Sequence, residues 1–378
     1  MIGRSSGPSV FAVEDTNVQV MWSRLSPEGV VLRAGDAECR VEPSAAAGPG
    51  TAVLVGLSPG TAYDLRMDVG AQRSVVARFR TLRPPPGELL CRFATISDTH
   101  IGERGFGLLP RFRENPHLSA ADAYPARCAR AAVAEAAAWG AERIVVKGDL
   151  TWSGRPLQWQ TVGDVLATSP VPVSATLGNH DVGPKSVDGR DELVAHGIDI
   201  PRYVEAIDMP GIRIVLGHSA DHGHRYGVVD GLQREEIVRL AGEATGGAFV
   251  TMHHYVDPLP FRSRYPRGIR RAEGATLLKD VAAANPATFL SFGHTHRNRR
   301  RMHFGIPATE VGSTKDYPGV WAGYAVHEGG IRQVVRRVAE PSCLAWTDPT
   351  AGVLGGFWGW WSPGRRRWRC FSWTWPAR

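Results

Sequence analysis

Five short polar motifs follow one another along the chain, each directly after an apolar run. They are Ser97-Asp98-Thr99-His100, Gly148-Asp149, Gly178-Asn179-His180-Asp181, Met252-His253-His254 and Gly293-His294-Thr295-His296. Short apolar runs bounded by such breaks read as buried strands. Polar groups at the carboxyl ends of strands are where an open α/β sheet gathers its site. Taken singly, none of these motifs has weight, since a Gly-Asp pair or a His-x-His arises often by chance. Five in order, each at a strand end, read as one metal centre. Oxygen and imidazole donors together suit Mn, Fe or Zn better than Ca or Mg. In Asp98-x-His100 and His294-x-His296 the ligands stand two apart, which on an extended stretch turns both to one side. Asp149, alone on its strand end, is free to bridge two ions, and Asn179 supplies a neutral oxygen. The glycines before Asp149, Asn179 and His294 are expected to let the backbone turn sharply beside the site.

The rhythm of the chain changes at Arg83-Pro-Pro-Pro-Gly87, which reads as a stiff linker. Before it, short alternating strands are expected at 18–22, 30–33, 51–55, 63–69 and 75–80, with turn signals such as Ser26-Pro-Glu-Gly29 between them, as in a small antiparallel sandwich. After it, strands alternate with helices. Strands are expected at 89–96, 141–146, 171–177, 248–252 and 288–292, and helices at 120–140, 156–169, 231–240 and 275–284. Short antiparallel strands return over 302–338. This is an α/β body with a mixed sheet or a pair of sheets. The organisation expected is residues 1–83 as a β-sandwich, 84–340 as the catalytic body, and 341–378 as a separate C-terminal tail.

The order D-x-H, G-D, G-N-H-D, H, G-H-x-H resembles the signature of the calcineurin-like metallophosphoesterases, over residues 90 to about 338. The resemblance implies a four-layer α/β/β/α sandwich with two divalent metal ions at the sheet ends. Carried over position by position, Asp98, His100, Asp149 and His296 would hold one ion. Asp149, Asn179, His253 and His294 would hold the other, with Asp149 bridging; whether His253 or His254 is the ligand stays open. A hydroxide bridging two ions is a strong nucleophile, because coordination lowers the pKa of water to about 7. His180 would face the substrate and protonate the departing alkoxide. Asp181 either orients that imidazole or serves as a turn or helix-cap carboxylate.

Purple acid phosphatases also carry a fibronectin-like domain before such a body, and Gly56-Leu-Ser-Pro-Gly-Thr-Ala-Tyr63 resembles the tyrosine corner of fibronectin type III domains, with Trp22 as a core residue. The chain departs from those phosphatases at His100, where they have Gly, and at Trp152, where they have a Tyr ligand. D-x-H with G-N-H-D is more similar to class III cyclic-nucleotide phosphodiesterases and bacterial glycerophosphodiesterases. The expected substrate is therefore a small phosphodiester of the cyclic-nucleotide or glycerophosphodiester type. The alternatives are a phosphomonoesterase or nuclease of the same superfamily, or a protein- or membrane-binding module with secondary hydrolase activity.

Charge bears on the nuclease alternative. The net charge is +7, yet residues 341–378 hold five Arg against one Asp, together with seven of the twelve Trp. The catalytic body is nearly neutral and lacks the footprint of a strong nucleic-acid groove. The tail is expected either to pack its aromatics on the body or to rest them, with Arg365, Arg366, Arg367 and Arg369, at an anionic membrane surface. Five scattered cysteines argue against a disulfide framework. Without an apolar leader or a run near 20 apolar residues, a cytoplasmic protein is the expectation. His218, His222 and His224 read as a solvated loop that can also line the cleft. His117 lies in a long insert, a candidate substrate lid. Arg297, Arg299, Arg300 and Arg301 read as a solvated strand edge or a phosphate contact.

Overall fold

The computed structural model describes residues 7–107, 112–258 and 266–376. In the N-terminal part, alternation of apolar and polar residues builds seven strands: β1 (Ser9–Val13), β2 (Val18–Trp22), β3 (Val30–Ala34), β4 (Ala37–Val41), β5 (Gly50–Leu54), β6 (Ala62–Val69) and β7 (Gln72–Arg80). They form two antiparallel sheets, β1-β2-β5 and β4-β3-β6-β7. In β3, Val30, Leu32 and Ala34 turn inward and Val31 and Arg33 do not, which is the period of two that a half-buried strand requires. The inward residues meet around Val20, Trp22, Leu32, Leu54, Leu65 and Phe79. The backbone N–H of Ser58 donates to the Tyr63 hydroxyl at 2.9 Å, closing the expected corner. β1 and β4 are additions to the sequence reading; β4 (AECRV) is too polar for an apolar pattern to reveal it.

The body comprises β8 (Leu89–Ile96), α1 (Tyr124–Ala138), β9 (Ile144–Lys147), α2 (Pro156–Leu166), β10 (Val173–Thr176), β11 (Ile198–Asp199), β12 (Glu205–Met209), β13 (Ile212–Leu216), α3 (Gly231–Gly242), β14 (Gly247–Met252), α4 (Arg271–Ala284), β15 (Thr288–Phe292), β16 (Arg299–His303), β17 (Ile306–Glu310), β18 (Val320–His327) and β19 (Gly330–Arg337), besides shorter elements. Two more elements lie in the tail, α5 (Pro341–Thr350) and β20 (Phe371–Thr374). One sheet runs β11-β10-β9-β8-β18-β19-β20 and the other β12-β13-β14-β15-β17-β16. In the first sheet β11, β10, β9 and β8 run parallel and β18, β19 and β20 continue it antiparallel. In the second β13, β14, β15 and β17 run parallel, and β12 and β16 close its edges antiparallel.

Phe93 and Tyr324 of the first sheet interlock with Phe249 and Phe289 of the second; the Phe93 ring stacks on Tyr324 at 4.9 Å and meets Phe249 edge-on at 4.8 Å. Truncating a buried aromatic of this kind to Ala typically costs about 3–5 kcal/mol. α1 and α2 cover the outer face of the first sheet, and α3 and α4 that of the second. This is the four-layer α/β/β/α order that the resemblance implied. In α1 the buried positions Ala126, Ala129, Ala132, Val133 and Ala136 repeat every three or four residues and are mostly small, so the helix seats close against the sheet. α1 begins at Tyr124, just before Pro125, rather than at 120, since Pro suits the first helical turn. The hairpin β12–β13 escapes the sequence reading because half of it is the polar run EAIDM.

The tail is continuous with the body. Cys343 of α5 enters the core beneath α1, Leu344 is buried as well, and Trp346 stacks on Tyr124 at 3.8 Å. β20 pairs with β19 as the last strand of the seven-stranded sheet. Arg369 is buried, donates to the carbonyls of Phe11, Pro363 and Gly364, and lies over the Phe11 ring. Intramolecular packing thus accounts for most of the tail, while Leu354, Phe357 and Trp360 stay exposed. The linker is pinned as well: Gly329 N donates to Pro86 O at 2.9 Å, and Ser372 Oγ donates to Arg83 O at 2.5 Å. Among the described residues no helix is long and apolar enough to cross a membrane, and all five cysteines are free.

Candidate metal centre

The carboxyl ends of β8, β9, β10, β14 and β15 lie on one side of the two facing sheets, and the five motifs follow them. Among the described residues seven non-glycine residues have left-handed φ, and five of these are Asp98 (54°), His100 (47°), Asp149 (49°), His294 (68°) and His296 (50°). Each costs about 1–2 kcal/mol of backbone strain. Strain gathered on the expected ligands is the mark of a functional constraint. The D-x-H and H-x-H stretches, expected from their spacing to be extended, are instead left-handed at both ligand positions. β8 ends at Ile96 and β15 at Phe292, so these pairs do not lie on extended backbone; Asp98 and His100 turn into one group of side chains, whereas His294 and His296 turn into two different ones. The glycines divide likewise. Gly148 (φ 78°) makes the sharp turn expected of it, whereas Gly178 and Gly293 provide room, because a Cβ there would collide with Asp149 Oδ1 and with Ser97 Oγ respectively.

Asp149 lies between two groups of side chains. Its Oδ2 is 3.4 Å from His100 Nε2 and 3.2 Å from His253 Nε2, and its Oδ1 accepts from His180 N at 2.8 Å. On one side are His100, Asp98 and His296, with His296 Nε2 3.4 Å from Asp98 Oδ1. On the other are His253, His254 and His294, with His253 Nε2 3.2 Å from His294 Nδ1. Two nitrogens that share an ion at about 2.1 Å stand roughly 3 Å apart. The second nitrogens are committed elsewhere: His253 Nδ1 to Lys147 O at 2.8 Å, and His296 Nδ1 to Asp316 Oδ2 at 2.6 Å. Such outer partners fix the tautomer and aim of a ligand imidazole. His254 Nδ1 pairs with Ser219 Oγ at 3.1 Å.

The donor set fits a divalent cation. Both ring nitrogens of His100, Nε2 of His254, Nε2 of His294 and Oδ1 of Asn179 are buried and lack a hydrogen-bond partner, and buried polar atoms normally have one. Burial, and then the Lys315 ammonium, hold His100 well below its usual range; burial, and then His253, push His294 down to about 3. Neutral imidazole is the form that binds metal. Burial also opposes charge on Asp149, yet His253 and His180 beside it draw its carboxyl well below the ordinary range.

His180 and Asp181 part company. His180 Nδ1 lies 2.8 Å from Trp152 O, and its ring is 4.5 Å from that of His100, partly open to solvent. Asp181 is buried and accepts from Leu150 N, Thr151 N, Thr151 Oγ1 and Gly178 N. These are the bonds of a turn carboxylate: they tie the Asp149 loop to the Asn179 loop, while His180 Nδ1 faces Trp152 O.

The other histidines and arginines sort by contact. His218 and His222 line a cavity of about 510 Å³ with Arg190, Asp188 and Asp221, beside Asp181, while His224 pairs with Asp221. Arg297 donates to Glu310 at 2.8 Å and lies 4.5 Å over Trp361, so it is built into the wall and is not a solvated edge. Part of the insert that carries His117, residues 108–111, is outside the described residues. Sequence reasoning missed Asp316, Lys315 and Glu103, which form a buried charged chain behind His296, and Trp358, 6.4 Å from the His296 ring. None of them belongs to a motif.

A calcineurin-like phosphoesterase family model matches residues 91–298, more than half of the chain. A probable cyclic nucleotide phosphodiesterase of Rhodococcus erythropolis (strain PR4 / NBRC 100887) is 23% identical over 180 residues, 46% of this chain and 57% of that protein. One of Psychrobacter arcticus (strain DSM 17307 / VKM B-2377 / 273-4) is 24% identical over 179 residues, 45% of this chain and 62% of that protein. The matches span less than two thirds of the length of either relative. Among solved structures, PhoD is 12% identical with a TM-score of 0.46 over 89% of this chain and 87% of its own. The purple acid phosphatase PPD1 of yellow lupin is 11% identical with a TM-score of 0.46 over 89% and 73%.

Proposed function

Because the chain belongs to the calcineurin-like phosphoesterase family, we propose that it is a phosphodiesterase that holds two divalent ions, Mn, Fe or Zn, and hydrolyses small phosphodiesters of the cyclic-nucleotide or glycerophosphodiester type. The observation that carries this reading is the Asp149 carboxylate, set between His100 on one side and His253 on the other. Asp98, His100, Asp149 and His296 would hold one ion; Asp149, Asn179, His253 and His294 would hold the second. His253 is preferred to His254 because its Nε2 faces Asp149 while Lys147 O holds its Nδ1. When bound, two such ions lower the pKa of water to about 7 and neutralise phosphoryl charge.

The chain's own residues do the rest. His180 Nδ1–H donates to Trp152 O and leaves Nε2 to face the substrate; in its doubly protonated form the ring gives the Nε2 proton to the departing alkoxide and is left neutral. Ser97 Oγ and His294 N hold the Asp98 carboxylate in place. Asp181 locks the two loops that carry Asp149 and Asn179. The preference for diesters rests on His100 and on Trp152, in place of the glycine and the tyrosine ligand of purple acid phosphatases. The test is turnover of bis(p-nitrophenyl) phosphate with Mn2+, Fe2+ or Zn2+ by the full chain. It should vanish in Asn179→Ala and Asp149→Ala. No turnover with any divalent metal would overturn the reading.

A further inference from the structure

The C-terminal segment encloses His296 from behind. Asp316, fully buried, sits 2.6 Å from His296 Nδ1. Lys315 Nζ balances its charge, 3.4 Å from Asp316 Oδ2 and 2.6 Å from Glu103 Oε2. With Nδ1 so committed, His296 presents Nε2 toward Asp98. Three contacts from the tail fix the loop that carries Asp316. Trp346 Nε1 donates to Lys315 O at 3.1 Å, Trp358 Nε1 donates to Tyr317 O at 3.1 Å, and Thr350 Oγ1 accepts from Tyr317 N at 2.9 Å. The tail also holds Asn298, two residues past His296: Asn298 N donates to Ser362 O at 2.9 Å, and Gly364 lies so close to Asn298 O that a Cβ would collide with it.

We propose that the Trp-rich C-terminal segment is a positioning element of the metal centre. It acts through Asp316 on His296 and sets the affinity of the ion that His296 helps to hold, leaving the ion on the His253 and His294 side untouched. This rests on the reading that His296 is a ligand. The indole N–H of a Trp is its one polar atom, and two Trp of the tail donate theirs to carbonyls two residues apart in the same loop, Lys315 O and Tyr317 O. Packing alone does not require that coincidence. A surface-anchoring role would turn these indoles outward, and both instead donate to backbone carbonyls behind the site. Removing the outer carboxylate of a ligand imidazole typically lowers metal affinity about 10- to 100-fold.

The experiment is a calorimetric titration of the metal-stripped full chain with Mn2+, together with the number of ions bound per chain. Asp316→Asn should weaken one binding phase about 10- to 100-fold and leave the other unchanged. The double variant W346F/W358F should weaken the same phase by a smaller factor, with the unfolding temperature of the stripped protein recorded alongside. If that variant does not fold, Thr350→Val removes one of the three loop contacts and reports the same phase. Both phases unchanged, or both weakened alike, in the folded variants would overturn the proposal. His296→Ala separates it from its premise. Loss of one ion in that variant keeps the ligand reading whatever Asp316→Asn does, and two ions retained would overturn both.

Discussion

His180 Nδ1 lies 2.8 Å from the carbonyl oxygen of Trp152. A carbonyl only accepts, so the hydrogen on that side is the imidazole's, and Nε2 is the nitrogen left to serve the substrate. The arrangement predicts a loss that depends on the leaving group. His180→Asn should lower kcat by about 10²- to 10⁴-fold on a diester with an alkoxide leaving group. On bis(p-nitrophenyl) phosphate the loss should be much smaller, because nitrophenolate departs without a proton. Equal losses on the two substrates would assign His180 to binding and remove it from proton transfer.

The neighbouring residue should behave differently. Asp181 accepts four hydrogen bonds, three of them from backbone N–H groups of the Asp149 and Asn179 loops. Asp181→Asn turns an amide NH2 toward those donors, and unsatisfied buried donors cost about 1–3 kcal/mol. We expect a fall of about 2–4 kcal/mol in unfolding free energy by urea titration. Folded, metal-loaded Asp181→Asn should keep the leaving-group dependence of the wild type. Acquisition of the His180→Asn pattern would show that Asp181 acts through the imidazole after all.

These two residues mark how far the sequence reaches. The convergence of the five motifs was legible because each follows an apolar strand, and strand ends meet at a sheet rim whatever lies between them. The layers were legible from the pattern of each element, since Ala129, Val133 and Ala136 of α1 repeat with the helical period and β9 is a short apolar run buried at every position, as a strand covered on both faces must be. What was not legible depends on partners distant in sequence. Nothing around Asp181 shows that its donors are Leu150 and Thr151. Asp316 stands in a motif-free loop and gains its role only when that loop folds under the tail. The tail itself read as a separate segment because its Trp and Arg have no period. Yet Phe371 finds Gln333, and Arg369 finds Phe11, to close the sheet and bind the two ends of the chain together.

The junction between the N-terminal sandwich and the body yields a further prediction. Glu14, just past β1, is buried. Its carboxylate accepts from Trp139 Nε1 at 3.0 Å and from Arg336 Nε at 2.8 Å, both in the body. Removing one partner of a buried charged pair costs about 3–5 kcal/mol because the other is left uncompensated. Glu14→Ala should therefore lower unfolding free energy by about 3 kcal/mol and split the urea transition into two, as the sandwich comes away first. A single, unshifted transition would mean that Glu14 contributes nothing to the junction.

His218 yields the pH dependence. Burial, and then the nearby Arg190, push its imidazole down to about 4, against the partial pull of Asp221 and Asp188. The unfolded chain binds a proton there with an ordinary pKa near 6.5. Between pH 6.5 and about 4 the unfolded state thus holds more proton than the folded one, and linkage makes stability fall as pH falls through that window. The group costs nothing above pH 7 and its full penalty appears below pH 4. His100, His254 and His294 shift in the same direction, so the informative quantity is a difference between proteins. Unfolding temperatures measured in chelator from pH 7.5 to 4 should drop for the wild type, and drop less for His218→Asn, with the curves converging above pH 7. Parallel curves would show that the cavity beside Asp181 admits enough water to keep His218 at its ordinary pKa.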